Sequence, residues 1–194
     1  MAATSARTPH RTRELLLDAG AEVAAGEGLS GLSVNRVVAA AGVAKGTFYV
    51  HFADREAFVD ALHARFHDRV RAALAQATDG TEPGPERLWR GAEAYLDVCL
   101  EYPAIKALVL EARGEGALTP SMEARREALG GTAVPSFRAM GWPDVNAAAQ
   151  LLGAMMNEIA IRELESARRL PAARRALRRY LGVDAPTGAG KRRR

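Results

Sequence analysis

Lys45, Gly46 and Thr47 stand in a row, and Tyr49 and His51 follow within four residues. The lysine supplies a cation and the glycine lets a backbone come close to a ligand. The threonine is a short donor and acceptor, while the tyrosine and histidine can each donate a hydrogen bond to a phosphate. Such a set suits contact with a polyanion better than bond-making chemistry. Other groups carry less. Gly26-Glu27-Gly28-Leu29-Ser30-Gly31 has dinucleotide-binding spacing, but that pattern works between a strand and a helix, and here it follows a helical stretch. Gly188-Ala189-Gly190-Lys191 lacks the full spacing, the Ser/Thr and the following helix of a phosphate loop. Asp60, His63 and His67 share one helical face, a spacing that could hold a metal. They lie away from the Phe58 apolar stripe, however, and read as a solvated face. Cys99 is the only cysteine and reads as a small buried residue. No Ser-His-Asp set or paired-carboxylate cleft stands out, so neither catalysis nor a metal or cofactor is expected.

The Lys45–His51 run must be held by local elements, and the sequence supplies them. Apolar residues recur at helical spacing throughout, without the alternation of strands, so the chain reads as all-α with about nine helices. The spacing predicts a first helix over 12–27 with Leu16, Ala19, Val23 and Ala24 inward, stopped by Gly28. Ser33 is placed to cap a short second helix that buries Val34, Val37, Val38 and Ala41 and stops at Gly42. A third helix runs from about 44 to 50, with Phe48 and Phe52 as anchors. Asp54 then caps a long fourth helix with Phe58, Leu62, Phe66, Val70 and Leu74 on one stripe. The stretch 78–85 is a loop, and further amphipathic segments follow at 86–101, 103–113 and 120–139. Gly130-Gly131 and Pro135 should break the last of these. Pro143 and Pro171 sit at plausible first positions of helices over 143–167 and 171–182. Two short helices joined through Gly42 and Val43 form a helix-turn-helix, whose second helix is of a size to enter the major groove.

Length and composition agree. With 194 residues, 48% hydrophobic and 26% charged, the chain has ample material for a buried core, and no apolar run approaches a membrane span. The N-terminal arginines are not followed by the apolar core of a signal peptide, so a cytoplasmic location is expected. The net charge of +4 is misleading on its own. Residues 168–194 hold ten Lys/Arg against Asp184, which leaves 17 basic and 22 acidic groups in the first 167. Basicity is thus a C-terminal property, ending in a flexible tail at 185–194. A smaller cluster, Arg7, Arg11 and Arg13, precedes the first acid, Glu14.

The run from Leu32 to Phe58, with Gly42-Val43, Gly46-Thr47-Phe48-Tyr49 and His51-Phe52 at fixed spacing, closely resembles the DNA-binding signature of the TetR family of transcriptional regulators. The likeness covers about residues 10–60. It implies an N-terminal three-helix DNA-binding domain over 8–68, with its helix-turn-helix at 32–51. A helical ligand-binding and dimerisation domain would follow over 69–184. Carried over by position, Ser33, Tyr49 and His51 would touch phosphates. Asn35, Lys45, Gly46 and Thr47 would approach base edges, and Arg36 could serve either purpose. Lysine to guanine and asparagine to adenine are physically favoured pairings. Arg55 stands where the family usually has a lysine that reaches phosphate from the start of helix four. Ala44 replaces the usual Ser or Thr and so removes a hydroxyl cap from the recognition helix.

The resemblance further implies a homodimer on a palindromic, double-stranded operator, released by a small effector. Dimerisation would use the last two long helices, with Leu152, Met156, Ile159, Leu177 and Leu181 at the interface. Aromatic and sulfur-bearing side chains concentrate after residue 88: Trp89, Tyr95, Cys99, Tyr102 and Met122, with Leu96 beside them, then Phe137, Met140, Trp142 and Met155. Each alone reads as ordinary core. Together with Leu108 they outline a cavity wall for a hydrophobic or aromatic effector, with Glu111, Arg113, Asn157 and Glu158 as polar groups to orient it. A signal would pass through 103–113 into helix four. The competing reading is an apolar small-molecule binding protein without specific DNA binding.

Overall fold

The computed structural model describes residues 9–103, 106 and 119–184, and among these there are helices and turns but no strand. Among the described residues nine helices follow one another: α1 (Pro9–Gly31), α2 (Val34–Ala41), α3 (Lys45–His51), α4 (Arg55–Thr78), α5 (Pro85–Glu101), α6 (Pro120–Gly131), α7 (Val134–Ala139), α8 (Val145–Glu165) and α9 (Pro171–Tyr180). None is long and apolar enough to cross a membrane. The tail at 185–194, Arg7, Leu108, Glu111, Arg113 and most of the segment expected at 103–113 lie outside the described residues.

Most element ends have a local cause. Gly28 does not stop α1 but kinks it, at φ 66° and ψ −166°. The Ser33 hydroxyl accepts the Arg36 N–H at 3.4 Å, and Gly42 closes α2 at φ 63° in the left-handed region that L side chains avoid. Asp54 Oδ1 accepts the Ala57 N–H at 2.8 Å and so starts α4. The 120–139 segment breaks after Gly131, and Pro135 lies in the first turn of α7, where a missing N–H costs nothing. Pro171 opens α9, but Pro143 lies two residues upstream of α8 rather than inside it.

The helices form two compact units. The first takes the described residues within Met1–Asp68 and Tyr102–Arg126, the second those within Arg69–Glu101 and Glu127–Arg194. The division falls inside α4, after Asp68, and the described part of Tyr102–Arg126 groups with the first unit. In the first unit Leu16, Leu17, Leu32, Val37, Phe48, Phe58 and Leu62 are nearly sealed from water. Phe48, Phe52 and Phe58 meet at ring-centroid distances of 4.9 to 5.4 Å. Gly20 permits this closeness, because a Cβ there would overlap the Phe58 ring. Arg65 adds polar ties from α4 to α1, donating to Asp18 Oδ1 at 2.7 Å and to the Leu17 carbonyl at 2.9 Å.

The second unit is built on α5, whose Leu88, Trp89, Ala92, Leu96 and Cys99 are buried, packed with α7, α8 and α9. A buried ion pair runs through it. Arg174 on α9 donates from Nε and Nη2 to the two carboxylate oxygens of Glu163, each at 2.8 Å, and from Nη1 to Asp97 at 2.6 Å. Glu163 also accepts the Leu170 N–H at 2.8 Å, and Arg169 donates to Asp97 at 2.9 Å. Burial pushes the Glu163 carboxyl up, but the Arg174 and Leu170 hydrogen bonds outweigh it and hold the group below the ordinary carboxylate range.

Candidate nucleic-acid interface

The α3 helix is only seven residues long, so it depends on what it stands on. Phe48 is the foundation. It is fully buried against Phe52 and Phe58, and Phe52 closes the helix by donating its N–H to the Phe48 carbonyl at 2.9 Å. The turn before it is tight: Gly42 and Val43 donate their N–H groups back to Ala39 and Val38 at 3.2 and 3.1 Å. Ala44 occupies the N-cap in extended backbone and provides no side-chain cap.

With Phe48 inward, Lys45, Gly46, Tyr49 and Val50 form the exposed face of α3, and Thr47 and His51 are half-buried at its margins. Tyr49 is half exposed and stands edge-on to Phe48 at 5.5 Å, so its ring is braced while its surface is open. Ser33, Asn35 and Arg36 are exposed on or beside α2. Two of the expected contacts are already engaged within the chain. The Arg36 guanidinium pairs with the Glu27 carboxylate, and Arg55 donates from Nε to the Leu32 carbonyl at 2.6 Å. Arg55 thereby fastens the start of α4 to Leu32, just ahead of the Ser33 cap of α2, a role its sequence position did not suggest. Arg13 lies over the Phe52 ring at 5.2 Å.

Sequence reasoning passed over two features of this surface. From Gly28 to Ala53 there is no Asp or Glu, so α2, the turn and α3 carry only neutral and basic groups. Val50 is 78% exposed, the most exposed large apolar side chain on α3. Its place beside Tyr49, two residues beyond the anchor Phe48, is the signal that could have found it.

The expected solvated face on α4 is instead covered. His63 and His67 are buried, with ring centroids 4.4 Å apart. Asp60 accepts hydrogen bonds from Thr119 (3.2 Å) and Ser121 (2.6 Å) and pairs with Arg125, which also donates to His63 Nδ1 at 3.3 Å. This polar contact explains why the Tyr102–Arg126 stretch belongs with the first unit. Burial and the neighbouring Arg125 push the His63 pKa down to about 4 against the pull of Asp60, and Lys106 adds to the depression. Burial works to raise Asp60, but Ser121 and Arg125 outweigh it and hold the carboxyl below its usual range. No group that could hold a metal ion occurs among the described residues.

The residues expected to line one cavity do not all fall together. Trp89, Tyr95, Leu96, Cys99 and Phe137 are buried in the second unit, and Met140 is half-buried there. Tyr95 donates to Asn157 Oδ1 at 2.8 Å, and Trp142 stands edge-on to Phe137 at 5.2 Å. Tyr102 and Met122 belong to the first unit, and Trp142 and Met155 are exposed. The residues expected at a dimer interface are placed inward. Leu152, Ile159, Leu177 and Leu181 are buried within their own protomer and Met156 is half-buried. The large apolar side chains that α8 and α9 leave open are Leu151, Met155 and Tyr180. Apolar spacing marks α8 as amphipathic without saying which of its apolar stripes is spent on α5.

The model of the bacterial regulatory proteins of the tetR family matches residues 16–62, the stretch from the middle of α1 into α4 that carries this interface. Over residues 16–62 the chain therefore carries a DNA-binding segment of the tetR-family type. A putative TetR-family transcriptional regulator from Rhodococcus sp. superposes at TM-score 0.75 and 26% identity, over 89% of this chain and 97% of that one. A TetR-like regulator from Rhodococcus sp. RHA1 superposes at 0.76 with 21% identity over 92% and 100%, a likeness of fold. The transcriptional repressor DhaR of Mycobacterium sp. strain GP1 is 39% identical over 84 residues, and the repressor NemR of Escherichia coli K12 is 35% identical over 77. These alignments span about two fifths of each curated relative, 41% and 38%.

Proposed function

We propose that this protein is a TetR-family transcriptional repressor that binds a palindromic operator as a homodimer and leaves it when a small apolar effector binds. The observation that carries the reading is the exposed, acid-free face of α3, with Lys45 and Tyr49 on a helix anchored by the buried Phe48. Lys45 and Asn35 offer pairings to base edges, with Gly46 and Thr47 allowing close approach. Ser33, Tyr49 and His51 hold phosphates and so set register. Arg36 and Arg55 contribute after exchanging, or while keeping, their partners Glu27 and Leu32. Two copies present two such helices, and α8 with α9 supplies the face that joins them through Leu151, Met155 and Tyr180.

Release follows from linkage. An effector that favours a dimer whose recognition helices are wrongly spaced must lower operator affinity by the same factor that operator lowers its own. The 24-residue α4 carries Arg55 and Phe58 at its reader end and continues without interruption to Thr78. A tilt of that rod moves α3 through the Phe48–Phe58 contact. The effector would meet the aromatic side of α5, at Trp89, Tyr95 and Cys99, with Asn157 as a polar handle.

The test is a footprint with the purified dimer on genomic fragments. A palindromic protected stretch is expected, with half-sites about one helical turn apart and binding that weakens steeply with salt. Lys45→Ala and Tyr49→Ala should abolish protection while the dimer persists in size-exclusion chromatography. Intact protection by both variants would overturn the reading.

A further inference from the structure

We propose that Val50 reads sequence, by packing its methyl groups on the C5-methyl of a thymine in each half-site; the inference rests on the DNA-binding reading above. Val50 is 78% exposed on a helix whose other large apolar residue at this surface, Tyr49, is braced by Phe48. A β-branched residue is a weak helix former, and an exposed one gains nothing from the core, so neither propensity nor packing accounts for it at this position. Its direction is set by the anchor. Two residues beyond Phe48, it points roughly 160° away from the buried side, and Gly46 points the same way on the preceding turn. Side chains on a helix lean toward the N-terminus, so Val50 reaches over the place where Gly46 has none, and a Cβ at Gly46 would meet nothing within 4 Å. The result is an apolar knob over an open notch, framed by Lys45 and Tyr49.

The frame states what covers it. The surrounding surface has no acid from Gly28 to Ala53 and carries Lys45, with His51 at the margin, so its complement is a polyanion. Of the groups that a duplex exposes in its major groove, the thymine methyl is the apolar one; the rest are donors and acceptors. Val50 therefore adds discrimination for thymine at one position per half-site, alongside the polar readers.

Uracil differs from thymine by that methyl alone, which makes it the probe. The full-length dimer first selects its preferred duplex from a random pool, and each thymine of that duplex is then replaced in turn by uracil. Competition gel shifts should find one position per half-site where uracil weakens binding about fourfold, and about fifteenfold when both half-sites are changed. Val50→Ala, whose circular dichroism should match that of the parent because the position is exposed, should bind the thymine duplex less tightly. It should also respond less than twofold to the same replacement. Uracil tolerance at every position by the parent, or equal uracil sensitivity in Val50→Ala, overturns the assignment and leaves the DNA-binding reading standing. Failure of the parent to select any duplex overturns both.

Discussion

Glu163 offers the sharpest test of how the second unit holds together. Its carboxylate is fully buried and accepts three hydrogen bonds, two from Arg174 and one from the Leu170 N–H. Glu163→Ala leaves a buried guanidinium with Asp97 as its partner at 2.6 Å and an amide without an acceptor. Breaking one side of a buried pair costs about 3 to 5 kcal/mol, and the surviving Asp97 contact places this case near the lower end, about 3 kcal/mol. For a chain of this size that is roughly a 10 °C fall in Tm. Replacing both partners, Glu163→Leu with Arg174→Met, removes the orphaned charge and leaves the Leu170 amide, at about 1 to 2 kcal/mol. The double variant is thus expected to be more stable than Glu163→Ala alone. Urea unfolding followed by far-ultraviolet circular dichroism, at one protein concentration, measures both. A cost below 1 kcal/mol for the single change, or a double variant less stable than Glu163→Ala, would refute the reasoning.

Ala44→Ser restores a hydroxyl cap to α3 and should stabilise the first unit by about 1 kcal/mol, read as a higher urea midpoint. Gly20→Ala forces a methyl into the Phe58 ring and should cost about 1 to 3 kcal/mol, with a parallel loss of operator affinity in a gel shift. His63 is held neutral in the folded chain down to about pH 4, whereas in the unfolded chain it titrates near 6.5. The unfolded state therefore takes up the proton first, and stability should fall as pH drops from about 6.5 toward 4, by up to about 3 kcal/mol. His63→Gln should flatten that part of the unfolding profile; an unchanged slope would count against a buried neutral imidazole.

The helix-turn-helix was legible because its determinants are local. Ser33, Gly42 and Asp54 each act within four residues of the group they satisfy, and Phe48 is the apolar residue inside α3 that packs on its neighbours. His63 and His67 were misread for the opposite reason. A helical wheel drawn on Phe58 finds one buried stripe, but the side chains covering the second arrive from 43 to 65 positions along the chain, as Lys106, Thr119, Ser121 and Arg125 do. The same limit applies to α8. Leu151 and Leu152 are both apolar neighbours in sequence, and only tertiary packing decides that Leu152 is core and Leu151 is open. Arg36 and Arg55 show a further case: residue type and position suggest an anion, while their observed partners are Glu27 and the Leu32 carbonyl.

Cys99, the chain's single thiol, is buried on α5 with 1% of its surface open. A thiol-reactive spin label or fluorophore therefore has little native background to contend with, and Ala39→Cys on the outer side of α2 would carry the reporter at one defined place per copy. In the proposed homodimer, pulsed electron resonance between two such labels would give the separation of the two α2 helices in ångströms, before and after a ligand is added.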